Sequence, residues 1–339
     1  MAKNITITGG AGFIGSNLTA YYIKKGYSVT VFDNLSRKGS RSNVDWLKRI
    51  GRFKLINGDI TNFADCRKAV KDSSAIFHLA AQVAVTTSVD NPREDFTTNA
   101  LGTFNMLEAA RLSGQRPVFI FSSTNKVYGG MENIKVIEVD GQYLYRDLAK
   151  GVPERMNLDF HSPYGCSKGA ADQYVRDYFR IYGLPTLVFR QSCIYGPRQF
   201  GIEDQGWVAW FIIAASLGKK ITIYGDGKQV RDVLYVDDLV RLFDLALTKI
   251  STLKGKVFNV GGGADNILSV WTKFGPILER LFGRKIKVRF DNWRPGDQKV
   301  YISDISLVQK EIGWKPKVSV EEGVKKLYSW VAENRKLFI

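Results

Sequence analysis

A tyrosine and a lysine stand one helical turn apart in His161-Ser162-Pro163-Tyr164-Gly165-Cys166-Ser167-Lys168. On a helix these two side chains share a face. Ser162 suits an N-cap and Pro163 a first turn, so the spacing predicts a helix that opens there with Tyr164 and Lys168 near its N-terminal amides. A phenol ionises near pH 10 in water, and a cation beside a helix N-terminus is expected to bring Tyr164 down into the working range of a general base. Such pairs on exposed helices are common and inert, so the rest of the chain must supply a reaction partner.

The elements that position that partner lie at the N-terminus. Asn4-Ile5-Thr6-Ile7 reads as a buried strand, and Thr8-Gly9-Gly10-Ala11-Gly12-Phe13-Ile14-Gly15 follows as a glycine turn opening a helix through about Lys25. Gly9 permits the tight turn, Gly12 lets a pyrophosphate approach, Gly15 lets helix and strand pack closely, and the helix start at Phe13 and Ile14 faces the phosphates. A second strand, Ser28-Val29-Thr30-Val31-Phe32, delivers Asp33 eighteen residues after Gly15, with Asn34 beside it. That carboxylate accepts both ribose hydroxyls and repels a 2′-phosphate, so NAD is expected rather than NADP, with Arg37 and Lys38 as solvated loop residues.

Strand and helix signals continue to alternate: Phe53-Lys54-Leu55-Ile56, Ala75-Ile76-Phe77-His78-Leu79, a helix around 100–113, Val118-Phe119-Ile120-Phe121 and Leu184-Pro185-Thr186-Leu187-Val188-Phe189-Arg190. This α/β pattern predicts a Rossmann-type doubly wound parallel sheet over 1–190, with strands added from later in the chain. Residues just past the strand ends line the crevice of such a sheet. Asp59 and Ile60 are therefore placed by an adenine and Ala80, Ala81 and Gln82 by the central phosphates, with Leu79, Asn99 and Ser122 in the same cofactor set. His78, within an apolar run, reads as a core histidine. Segments 191–199, 221–232 and 291–301 are less regular and predict a smaller, interleaved domain, mainly 191–339, that binds a substrate nucleotide.

Composition bounds the class. The chain has 339 residues, 45% hydrophobic and 24% charged, and nothing in it approaches an 18-residue apolar run. Three cysteines without CxxC spacing and two histidines argue against a metal site and for a reducing, cytoplasmic setting. A net charge of +16 points to acidic partners, but the cations are scattered among acids, which fits a phosphorylated small molecule better than nucleic acid. The helix after Tyr164 carries Ala171, Tyr174, Val175, Tyr178 and Phe179 at helical spacing, a core or dimer face, and a homodimer or homotetramer is expected.

The glycine turn, the Tyr164/Lys168 pair and Ser122-Ser123-Thr124 together resemble the extended short-chain dehydrogenase/reductase family, which acts on nucleotide sugars. The resemblance implies that Thr124, with Ser123 adjacent, hydrogen-bonds the sugar oxygen that becomes a carbonyl, while Lys168 also grips the nicotinamide ribose. Dehydratases of the family carry Asp-Glu directly after this hydroxyl; here Asn125-Lys126 follows, so elimination lacks its acid and base, whereas epimerisation needs neither. Arg231 in Gly225-Asp226-Gly227-Lys228-Gln229-Val230-Arg231-Asp232 and Arg294 in Arg294-Pro295-Gly296-Asp297 lie where family members hold a diphosphate. Arginine forks suit that task.

Stretches 125–129, 158–174, 198–200, 204–207 and 227–232 look closest to the family branch that epimerises C2 of a CDP-3,6-dideoxyhexose, as CDP-paratose is turned to CDP-tyvelose. On that resemblance Lys126, Arg198, Gln199, Gln205, Gln229, Arg231, Arg294 and Asp297 are expected at the substrate. The chain departs from it in the 131–157 insert, read as basic and irregular, and at Ser192-Cys193-Ile194 beside the sugar. The nearest alternative is a UDP-sugar 4-epimerase using the same residues. Two further classes, a non-catalytic nucleotide sensor and a nucleic-acid-binding module, are disfavoured by the presence of Tyr164 with Lys168 and by the scattered charge.

Overall fold

The computed structural model describes residues 4–294 and 297–339; Pro295 and Gly296, within one of the expected phosphate loops, lie outside the described residues. Short apolar runs closed by glycine, threonine or aspartate fold as strands, and the amphipathic stretches between them as helices. In chain order these are β1 (Asn4–Thr8), α1 (Phe13–Lys24), β2 (Ser28–Asp33), α2 (Ser40–Ile50), β3 (Lys54–Asn57), α3 (Phe63–Val70), β4 (Ala75–His78), α4 (Val85–Asp90), α5 (Pro92–Phe96), α6 (Gly102–Leu112) and β5 (Val118–Thr124). A π-helical turn, Thr97–Leu101, joins α5 to α6. Then come β6 (Val136–Val139), β7 (Gln142–Tyr145), α7 (Ser162–Tyr182), β8 (Thr186–Gln191), β9 (Cys193–Tyr195), α8 (Trp207–Ser216), β10 (Ile221–Tyr224), β11 (Val230–Tyr235), α9 (Val236–Thr248), α10 (Ile250–Leu253) and β12 (Val257–Val260). The chain ends with β13 (Ile267–Ser269), α11 (Phe274–Phe282), β14 (Val288–Asp291), β15 (Val300–Tyr301), α12 (Ser306–Ile312) and α13 (Val320–Glu333).

Two compact units result, and both are discontinuous. One comprises 1–127, 162–190 and 240–258; the other comprises 128–161, 191–239 and 259–339. The first unit is built on a seven-stranded sheet in the order β12-β8-β5-β4-β1-β2-β3. Parallel register runs through β1 with β2 and β4, β2 with β3, and β4 with β5. Strand order reverses between β1 and β4, which puts the ligand crevice of a doubly wound sheet beyond the C-terminal ends of those two strands. Its core joins Phe32, Ile76, Phe119, Phe121, Val175 and Val188, all fully or almost fully buried, as near-continuous apolar strands between helix layers require.

The second unit packs around α8, which is buried nearly all round through Val208, Ala209, Phe211, Ile212 and Ile213. Helix α13 begins on a Ser319 cap that accepts the Glu322 amide at 3.3 Å. The insert expected to be irregular is an antiparallel hairpin, with Val136 opposite Tyr145 and Val139 opposite Gln142. Its turn places Asp140 and Gly141 at φ 49° and 72°, the paired left-handed conformation of a two-residue turn that favours an Asp-Gly sequence. The hairpin docks within the second unit: the Tyr145 hydroxyl donates to the Val300 carbonyl, and Tyr143 to Asp226 at 2.6 Å.

Candidate active site

The glycine turn meets the loop after β4 at the strand-order reversal. Gly9 has φ +64°, and a Cβ there would sit 2.9 Å from the Ala80 nitrogen, so only glycine closes this corner. A Cβ on Gly15 would collide with the Gly9 carbonyl, which is how α1 comes to lie against the turn. Gly12 caps α1 with no side chain, and the first turn carries no acid. The amides at Phe13 and Ile14 therefore remain for an anion. The Leu79 and Ala80 amides both donate to Thr8 Oγ1 at 3.1 Å, so these residues are held as the crevice wall beside the turn. Ala81 follows them, half-buried.

Asp33 closes the turn. Its carboxylate accepts the Ala11 amide on one oxygen at 2.9 Å and the Leu35 amide on the other at 2.8 Å. Burial raises its pKa, and the backbone donors oppose that rise. Lone pairs remain on both oxygens for ribose hydroxyls. Next to it the exposed Asn34 donates to Asp59 at 2.8 Å, and Asp59 also accepts the Thr61 amide. Ile60 is buried where Gly102 leaves room for its side chain. Asn99 is buried, accepts the Gln82 amide and donates to Asp95 and Ser167. These features match the shape and donor set of a dinucleotide site.

Helix α7 starts where the spacing predicts, with Ser162 Oγ accepting the Gly165 amide at 3.2 Å. Ser162 itself sits at φ 64°, a left-handed position that turns the chain into the helix. Tyr164 and Lys168 are both buried, and Thr124 at the end of β5 is near enough to pull the phenol's pKa down. The electrostatics correct the sequence-based expectation. Burial lifts the phenol to about 12, and Thr124 and the Arg37 charge pull it down by less. The cation acting on the phenol is thus Arg37, which is exposed, as the sequence leads one to expect, and acts by its charge. Lys168 turns instead to the Ser122 carbonyl at 2.7 Å and lies 4.2 Å from the centroid of the Phe121 ring. Burial lowers its pKa to about 7, opposed by Asp172 and Asp95.

Ser123 does not stand in the reacting row. Its hydroxyl is buried and donates to Asp172 at 2.8 Å, while Arg190 grips the same carboxylate at 2.9 and 3.0 Å. It is a structural partner of that pair and is withdrawn as a catalytic candidate. His78 is a core residue, bracketed by Thr8 at 2.8 Å and Thr103 at 3.0 Å, and burial pushes its pKa down to about 3.

The expected substrate residues other than Lys126 belong to the second unit. Arg231 on β11 approaches Asp297 at 3.9 Å, and the Asp297 amide donates to the Arg294 carbonyl three residues back. Arg294 pairs with Asp204 at 2.8 Å and stacks 3.8 Å over the Tyr224 ring. Gln229 donates to the Tyr224 carbonyl and Gln199 to the Ile194 carbonyl. The Oε1 atoms of both, and the Trp207 indole nitrogen, are buried with no hydrogen-bond partner among the described residues. Arg198 is buried in a left-handed turn beside the Trp330 ring. Gln205 exchanges backbone hydrogen bonds with Ile202, and the Lys126 amide donates to Thr124 Oγ1 at 3.2 Å. Cys193 pairs with Val233 of β11 and packs half-buried on the core.

Sequence reading missed Asp95, Ser167, Asp172, Arg190 and Trp207. Ser167 lies 72 residues from Asp95 and Asp172 lies 18 from Arg190, so no short motif announces either contact.

The GDP-mannose 4,6 dehydratase family model matches residues 6–327. CDP-paratose 2-epimerase of Salmonella typhi is 47% identical over 337 residues, covering 97% of this chain and 99% of that protein. Among solved structures, UDP-glucose 4-epimerase of Thermotoga maritima with UDP-glucose superposes with a TM-score of 0.84 at 33% identity, covering 98% and 99% of the two chains. The dTDP-glucose 4,6-dehydratase DesIV of Streptomyces venezuelae, solved with NAD, gives 0.85 at 28% identity, covering 98% of each. On a family model that spans nearly the whole chain and on this near full-length identity, the chain belongs to the GDP-mannose 4,6 dehydratase family of extended short-chain dehydrogenases/reductases.

Proposed function

We propose that this protein is an NAD-dependent epimerase of a nucleotide diphosphate sugar, acting at C2 of a CDP-3,6-dideoxyhexose and converting CDP-paratose to CDP-tyvelose. The observation that carries the reading is the buried Tyr164 and Lys168 pair one turn apart on α7, with Thr124 at the end of β5 and a glycine turn closed by Asp33 in the same unit. The 47% identity to the Salmonella typhi CDP-paratose 2-epimerase supports the choice of sugar and carbon. Asp33, Gly9, Gly12, Gly15 and Lys168 hold NAD, which when bound supplies a hydride acceptor and donor. Tyr164 takes the proton of the reacting hydroxyl and returns it, and Thr124 fixes the oxygen during both transfers. Arg231 and Arg294 hold the diphosphate. Cys66, Cys166 and Cys193 form no disulfide, which fits a reducing cytoplasm, and no helix among the described residues is long and apolar enough to cross a membrane.

Substrate deuterated at C2 tests the carbon. The product is expected to keep the label at C2, with turnover slowed by the heavier isotope and no added cofactor consumed. Loss of the label to water would replace hydride transfer by deprotonation. Slowing by a C4 label alone would make the protein a 4-epimerase.

The protein is further proposed to be a homodimer. Along α6 and α7, Leu112, Tyr174, Ile181 and Tyr182 are 57%, 49%, 66% and 44% exposed, an apolar set unusual for a solvated helix pair. Light scattering is expected to give twice the chain mass, and Ile181→Glu to halve it; a wild-type monomer at micromolar concentration would rule this out.

A further inference from the structure

Two buried charges in the first unit lack a matching direct partner. Lys168 is 3% exposed, and its ammonium donates to a neutral carbonyl. Asp95, at the end of α5, is fully buried, and its carboxylate accepts only neutral donors: Ser167 Oγ at 2.5 Å on one oxygen and Asn99 Nδ2 at 3.0 Å on the other. Burying an ion without compensation costs several kcal/mol; burial raises the pKa of Asp95 and lowers that of Lys168, and each charge opposes the shift of the other. The other buried carboxylate acting on Lys168, Asp172, has the larger effect of the two but is shared with the two-pronged Arg190 contact and with Ser123.

We infer that Asp95 is the charge partner of Lys168, a positioning residue that acts through Ser167 to hold the ammonium against the Ser122 carbonyl and keep it cationic. Ser167 precedes Lys168 in the chain, so the short Asp95 hydrogen bond fixes the helix turn from which the lysine projects. Asn99 ties the carboxylate to the loop after β4 by accepting the Gln82 amide. The groups facing Lys168 are Asp95 from α5, Asp172 on its own helix, His78 from β4 and the Phe121 ring from β5; those facing the phenol are Thr124, Asp95 and Arg37. His78 is neutral in the working range, so the balance rests on the carboxylates.

The inference rests on the reading of Tyr164 and Lys168 given above, and its test separates the two. Asp95→Asn keeps the size and an acceptor for Ser167 but removes the charge. Losing a nearby anion disfavours the ammonium and favours the phenolate, so both limbs of the pH profile of kcat/KM are expected to move to lower pH, by about half a unit or more. A structural role would lower the rate without moving the limbs, and unmoved limbs overturn the inference. A thermal cycle needs no activity: Lys168→Met leaves Asp95 uncompensated, so Asp95→Asn should cost at least about 2 °C less in that background than in the wild type. Equal cost in both backgrounds overturns the charge pairing even if the epimerase reading stands. If the pairing holds in the cycle but neither variant alters turnover, the reaction reading falls and the pairing remains.

Discussion

Tyr164→Phe is expected to lower turnover by about 10²–10⁴-fold while leaving the fold and cofactor retention intact. Tyr164 is buried, and Thr124 and the Arg37 charge both pull its pKa down, so its oxygen is placed to exchange a proton with a sugar hydroxyl held by Thr124. Burial outweighs the helix terminus and lifts the resting phenol to about 12. A positive charge brought beside it lowers that value, so bound NAD should make the phenol ionise at lower pH than in the free protein, which absorbance near the phenolate band reports. A phenylalanine variant keeping more than half the wild-type rate would remove Tyr164 from the mechanism.

Arg190→Leu is expected to cost about 3–5 kcal/mol of stability, because it strands the Asp172 carboxylate at zero exposure. Ser123 and Gln173 would remain as donors, but neither carries a charge. The double variant Arg190→Leu/Asp172→Leu should recover much of the loss, since removing both ions of a buried pair leaves no uncompensated charge. Chemical denaturation reads both. A loss below about 1 kcal/mol in the single variant would mean that water reaches Asp172. Ser123→Ala, by contrast, should act on stability rather than on rate.

Much of this protein is legible in its sequence because the relevant interactions are local. The turn at Gly9 and Gly15 needs those glycines for backbone contacts a few residues away, and Asp33 follows from the length of β2. Tyr164, Ser162 and Lys168 sit on one short helical segment whose cap is written beside it. The hairpin at 136–145 was equally local, signalled by Asp140-Gly141, and its basic surroundings obscured it. Other features arise only when distant segments meet. Apolar periodicity says that α7 is buried on one face, but it does not say that burial will raise the phenol and lower the lysine. The Asp95 contact to Ser167, the Arg190 grip on Asp172 and the reach of Arg37 to the phenol join segments from 18 to more than 100 residues apart. Those charges are set by which groups lose water together, a property of the packed fold and not of any stretch of chain.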